Sequence, residues 1–82
     1  MPKVPRDISG KQLCRLLGGY GYRITRQTGS HIRLTSNFMG YEHSITIPEH
    51  DVIKIGTMSK ILKDVADYLE VQKEELLKGL MD

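Results

Sequence analysis

The chain has 82 residues, 39% hydrophobic and 27% charged, with a formal net charge of +2 at pH 7, which fits one domain over residues 1–82, near the lower size limit for a self-supporting core. The single cysteine, Cys14, excludes an internal disulfide and a multi-cysteine zinc site. No apolar run approaches the roughly 18 residues needed to span a membrane, and Met1-Pro2-Lys3-Val4-Pro5-Arg6 lacks the apolar core of a signal peptide, so a cytoplasmic protein is expected.

Residues 1–8 read as an extended arm, because Pro2 and Pro5 block an early helix. A first helix follows. Ser9 and Gln12 have the spacing of a capping box, and Ile8 and Leu13 that of a hydrophobic staple. Leu13, Leu16 and Leu17 form its apolar stripe, Tyr20 extends it, and Cys14 within the pattern reads as a buried, inert thiol. Gly18-Gly19 is expected to end the helix in a left-handed cap.

Tyr22 to Gln27 reads as a first strand, with Tyr22 and Ile24 on one face and Arg23, Thr25 and Gln27 on the other. Thr28-Gly29-Ser30 is a tight turn into a second strand, 31–35, which makes an antiparallel hairpin. Residues 36–42 form a polar loop in which Phe38 and Met39 are either exposed or folded back on the sheet. A third strand runs from about His43 to Ile47, with Ile45 and Ile47 inward and Ser44 and Thr46 outward, and Pro48 stops it. After a loop over 49–55, Gly56-Thr57 opens a second helix with Thr57 as N-cap. Met58, Ile61, Leu62, Val65 and Leu69 are its buried stripe. A last short helix, about Val71 to Met81, carries Leu76, Leu77 and Leu80, to cover the core or serve a partner.

The expected fold is therefore α+β: a helix, three antiparallel strands and a helix, with a short C-terminal helix. Both major helices must pack on the one apolar face of the sheet, which leaves the other face open. This is the element order of a double-stranded-RNA-binding domain.

The open face concentrates the chemistry. If Ile32 and Leu34 point inward, His31 and Arg33 stand together at the head of the second strand. A titratable imidazole beside a fixed positive charge suits a phosphate-bearing partner. The charge distribution agrees, since Asp7 is the only acid between Lys3 and Arg33. Asp64 to Asp82 holds six acids and two lysines and reads as a solvated helix surface.

Three runs carry a resemblance to a known family. Thr25-Arg26-Gln27-Thr28-Gly29-Ser30-His31-Ile32-Arg33-Leu34 resembles the signature of the HicA toxins, small bacterial and archaeal messenger-RNA interferases: a strand, then Gly-Ser-His, then an alternating strand. Thr46-Ile47-Pro48-Glu49-His50 is similar to the family's Val-Pro-x-His, and Ile55-Gly56-Thr57-Met58-Ser59-Lys60-Ile61-Leu62-Lys63 to its Gly-Thr-Leu-x-x-Ile-Leu. The runs come in the family's order, and the likeness covers about residues 9–77. Met58 stands where leucine is usual, and Ala66-Asp67-Tyr68-Leu69 has one residue more than the family's alanine-glycine-leucine. The resemblance implies a double-stranded-RNA-binding-like fold, ribonuclease activity without a metal, and a HicB-type antitoxin that covers the active site. It places the catalytic histidine at His31.

RNA supplies its own nucleophile, the 2′-hydroxyl, so a histidine titrating near neutrality can act as base or acid in its cleavage. His31 is the candidate for that role. Arg33, with Arg23 or Arg26, is the candidate to hold the phosphate. Ser30 would orient the imidazole or bond a phosphate oxygen. His50 is either a second proton-transfer group or a structural residue bonding a loop carbonyl, and His43 is structural or exposed. Gly56-Thr57 at a helix start offers free backbone N–H groups to a phosphate but reads in preference as an ordinary N-cap, with Lys54 and Lys60 near it placed to follow an RNA backbone. The chain has no Gly-x-Gly-x-x-Gly, Walker or His-Glu-x-x-His pattern, so no nucleotide cofactor or metal is expected. A non-catalytic RNA-binding module of the same fold, and a protein-binding domain using the open sheet and the last helix, are the competing readings.

Overall fold

The computed structural model describes residues 7–81, so the arm expected over residues 1–8 lies outside the described residues except for Asp7 and Ile8. Helix α1 spans Gly10–Leu17 and opens with the expected capping box: the Ser9 hydroxyl accepts from the Gln12 N–H (3.1 Å), and the Gln12 side chain accepts from the Ser9 N–H (2.9 Å). These bonds satisfy two backbone donors that a helix start otherwise leaves unpaired. At the other end Gly18 keeps a right-handed φ of −56°, and a 3₁₀ turn carries the chain through Gly18–Tyr20. The left-handed residue is Gly21, with φ 83°, not the Gly18-Gly19 pair. A Cβ at Gly21 would stand 3.0 Å from the Ser36 Oγ, so glycine is demanded by space as well as by φ.

Strands β1 (Arg23–Thr28), β2 (His31–Ser36) and β3 (His43–Pro48) form one antiparallel sheet in the order β1-β2-β3. Gly29 connects β1 to β2 with φ 55°, the positive value a two-residue hairpin turn needs at its first central position. Ile32, Leu34, Ile45 and Ile47 are buried against Leu13 and Leu17 of α1 and Met58, Ile61, Leu62 and Val65 of helix α2 (Ile55–Leu69). Each such side chain contributes on the order of 2 kcal/mol through removal of apolar surface from water. Helix α3 (Lys73–Met81) packs on α2 and buries Leu76, Leu77 and Leu80, so its stripe covers the core. Ile53, in the loop before α2, is also buried, and its N–H donates to the Ile8 carbonyl (2.9 Å).

Three local expectations are corrected. Helix α2 begins at Ile55 with Lys54 in the N-cap position, so Thr57 lies inside the first turn and is not the cap. The Met58 N–H already bonds the Lys54 carbonyl (2.9 Å), and no side chain caps this end. The last helix starts at Lys73 rather than Val71. The third correction concerns β1, where the alternation breaks. Arg23 pairs with Thr35 and Ile24 with Leu34, but it is Arg26 that pairs with Arg33, and Gln27 with Ile32. Thr25 is therefore the extra residue of a β-bulge. Residues opposed across antiparallel strands share a face, so Gln27 moves to the side of Ile32 and Arg26 joins Arg33. Ile24, at the uncovered margin of the sheet, stays 56% exposed.

Candidate nucleic-acid interface

The face of the sheet away from the helices carries Arg23, Thr25 and Arg26 from β1, His31, Arg33 and Thr35 from β2, and Ser44 and Thr46 from β3. His31 heads β2, opposed by Thr28 and Pro48, and its ring is exposed. Arg33 lies two residues on, between Arg26 and Thr46. Arg23 marks the far end of the face, opposite Thr35. A row of hydroxyls crosses the three strands there: Thr25 Oγ1 to Thr35 Oγ1 (2.9 Å) and Thr35 Oγ1 to Ser44 Oγ (3.0 Å). This row satisfies Thr35, which is buried on an otherwise polar face.

Among the described residues the ion pairs are Lys11–Glu49 (3.5 Å) and Lys63–Asp67 (3.8 Å), so Arg23, Arg26 and Arg33 have no carboxylate partner there. Two arginines directly opposed without an acid cost stability in the free protein. The same arrangement favours an incoming phosphate, which the planar guanidinium fork matches in shape and charge.

The His31 end of the face is held by backbone. The Glu49 N–H donates to the Ser30 carbonyl (2.6 Å), extending the ladder one step past Pro48. The Gly10 N–H donates to the His50 carbonyl (3.0 Å). A Cβ on Gly10 would overlap the Pro48 carbonyl oxygen, so α1 approaches this segment as closely as only glycine allows. The Glu49 carboxylate accepts from Gln27 Nε2 (2.7 Å) and pairs with Lys11, tying β1, β3 and α1 together. The group of His50 that is hydrogen-bonded is thus its own carbonyl, which accepts from the first residue of α1, and its imidazole is exposed. The structure brings Ser30, His31 and the segment ending at His50 to one end of the sheet.

It does not bring the candidate lysines onto that face. Lys60 projects from the outer side of α2, opposite its buried stripe, and Lys54 is exposed in the N-cap position of α2. Gly56 and Thr57 form the exposed first turn of that helix. Cys14 is buried, and burial raises its thiol pKa, as expected for an inert core residue. Among the described residues no cluster of His, Cys, Asp and Glu could hold a metal ion, and no helix is long and apolar enough to cross a membrane.

The opposite end of the sheet holds residues whose importance local sequence does not show. His43 Nδ1 meets the Tyr22 hydroxyl at 2.7 Å and its ring stacks on Tyr68 at a centroid distance of 4.6 Å, which makes His43 structural. Burial pushes the Tyr22 phenol well above its ordinary pKa, with the Tyr68 hydroxyl adding to the effect. The Tyr68 hydroxyl accepts from the Met39 N–H (3.0 Å) and donates to the Tyr41 carbonyl (2.6 Å), fixing the β2–β3 loop. Met39 folds back onto the core, whereas Phe38 is exposed. Tyr22 just before β1 and His43 at the head of β3 meet Tyr68 of α2, and a pairing that spans up to 46 positions of chain (22 to 68) is invisible locally.

A family model described as the HicA toxin of bacterial toxin–antitoxin systems matches residues 10–66, from the start of α1 into α2 and across the whole sheet. No curated protein and no solved structure gives a match. The matched span includes all three runs that suggested the likeness, and covers well over half of the chain. The chain belongs to the HicA toxin family: it is a toxin of a HicA/HicB toxin–antitoxin system, with an antitoxin as its partner.

Proposed function

We propose that the protein is a metal-independent endoribonuclease that cleaves messenger RNA in the cytoplasm, with His31 as the catalytic residue and a HicB-type protein as its antitoxin. The observation that carries this reading is the placement of the exposed His31 ring at the head of a sheet face with three arginines and no acidic partner among the described residues. Membership of the HicA family supports the same reading.

In the proposed reaction the RNA 2′-oxygen attacks the adjacent phosphorus, and the bond from phosphorus to the 5′-oxygen breaks. The products are a 2′,3′-cyclic phosphate and a 5′-hydroxyl. One proton leaves the 2′-hydroxyl and one reaches the 5′-oxygen, so no cofactor is needed for balance. His31 transfers one of these protons, and His50 is the candidate for the other. Arg33 and Arg26 stabilise the charge that builds on the non-bridging oxygens. Ser30, at the turn, orients the imidazole or bonds a phosphate oxygen.

The test is induced expression of the wild type and His31→Ala, reading growth and messenger-RNA integrity together with folding. Arrest and fragmentation by the wild type alone are expected. A folded His31→Ala protein that still fragments RNA would overturn the assignment. Salt-sensitive RNA binding without cleavage by either protein would instead identify a non-catalytic RNA-binding module.

A further inference from the structure

The bulge at Thr25 has a geometric result that straight alternation would not give. It rotates Arg26 onto the open face and sets it directly opposite Arg33. Along β2, His31, Arg33 and Thr35 follow one another on that face. A strand advances about 3.4 Å per residue, so these positions are spaced by about 7 Å. That is comparable to the reach of the six backbone bonds that make up one nucleotide of an extended strand. Each position is flanked differently: His31 by Thr28 and Pro48, Arg33 by Arg26 and Thr46, and Thr35 by Arg23 and Ser44.

We infer that a single RNA strand runs along β2 with one phosphate for every two residues, and that Arg26 and Arg33 together grip the phosphate next to the scissile one. This rests on the ribonuclease reading above, because it takes the phosphate at His31 as the one that is cut. The two opposed guanidiniums have no carboxylate among the described residues to neutralise them. A phosphate between them relieves their mutual repulsion and accepts from both forks. The phosphate after it reaches Arg23 and the Thr25–Thr35–Ser44 hydroxyls. The bulge is thus the device that sets the substrate register: the cut falls one nucleotide from the arginine pair.

The experiment uses a short single-stranded RNA with one mapped cleavage position, in which each flanking phosphate in turn is replaced by an uncharged methylphosphonate. Cleavage is measured with the wild type, Arg26→Ala, and Lys63→Ala as a control on the helix side. Neutralising one phosphate immediately beside the cut is expected to lower wild-type and Lys63→Ala kcat/KM by about tenfold or more, the size of a lost charge-assisted contact. The same replacement is expected to cost Arg26→Ala distinctly less than the wild type, because one of the two guanidiniums that hold this phosphate is already gone and only the Arg33 contact is left to lose. If that replacement lowers cleavage equally in Arg26→Ala and the wild type, or if no flanking phosphate matters, the proposed grip is overturned while the ribonuclease reading stands. A wild type that leaves the unmodified RNA intact overturns the ribonuclease reading and the track with it.

Discussion

The two ends of the sheet are built on opposite terms. At the end formed by Tyr22, Ser36 and His43, side chains close on one another: Tyr22 bonds His43, His43 stacks on Tyr68, and Ser36, fully buried, donates to the Tyr20 carbonyl at 3.1 Å and accepts from the Phe38 N–H at 3.1 Å. At the end formed by Ser30, His31 and His50, the links run through backbone carbonyls and N–H groups and through Glu49, while the imidazoles stay exposed. One end spends its polar side chains on order. The other obtains its order from the main chain and leaves its side chains free for a ligand. Stability and the proposed reactivity are thereby assigned to different ends of the strands, which gives the contrast several places to be broken.

The largest expected effect is on activity alone. His31→Ala should lower RNA cleavage by about a hundredfold to ten-thousandfold, the usual contribution of a positioned acid or base, while the thermal midpoint stays that of the wild type. Gly10→Ala attacks the same end through its scaffold. The new methyl overlaps the Pro48 carbonyl oxygen, and relief requires backbone movement, so a loss of about 3 kcal/mol is expected in denaturant unfolding. Tyr68→Phe tests the ordered end. It leaves the Met39 N–H and the Tyr41 carbonyl without the hydroxyl that now serves both, at a cost of about 2 kcal/mol, while cleavage by the remaining folded protein is unchanged. A Gly10→Ala loss smaller than that of Tyr68→Phe would show that the backbone-linked end is the more forgiving of the two.

A smaller effect appears only at alkaline pH. The Tyr22 phenol has its pKa raised above the ordinary 10.0 on folding, chiefly by burial. It therefore contributes stability that is fully present below pH 10 and is lost as pH rises through the folded-state value, because the unfolded chain ionises first. Unfolding free energy should fall above about pH 10, and Tyr22→Phe should flatten part of that fall while losing about 1 kcal/mol at neutral pH with the hydrogen bond to His43. An alkaline slope identical in the two proteins would remove Tyr22 from the account. The smallest effect belongs to Lys60→Ala. Its side chain points away from the sheet, so stability should move by less than about 0.5 kcal/mol, and cleavage should not change.

These contrasts also show how far local pattern carries. The capping box at Ser9 and Gln12, the hairpin at Gly29 and the stripe of α2 were legible because each is decided within four or five residues of chain. So was the sharing of one face by His31 and Arg33, since β2 keeps a strict alternation. The strand before it does not. Nothing in Arg23-Ile24-Thr25-Arg26-Gln27 marks Thr25 as an insertion, because the bulge is a relation between β1 and the register of β2. The left-handed glycine was misplaced at Gly18-Gly19 because any of three nearby glycines could cap the helix. Gly21 takes that role because the 3₁₀ turn through Gly18–Tyr20 carries the chain on and ends at it, and Ser36 and Phe38 leave no room there for a side chain. Tyr68, Glu49 and His43 owe their importance to partners distant in sequence, and no spacing rule reaches that far. The helix start at Ile55 was hidden for a related reason: with no capping side chain, its only marker is a backbone bond.

The irregularity at Thr25 has one more consequence. Strand β1 is an outer strand, and all six of its residues are exposed. A regular strand in that position would offer its vacant main-chain groups as a template for a neighbouring molecule, the first step of edge-to-edge aggregation. An inserted residue kinks the strand and increases its twist, and Arg23 and Arg26 on either side of it repel a second copy. The feature that aims an arginine at the proposed substrate also works as a safeguard of colloidal solubility.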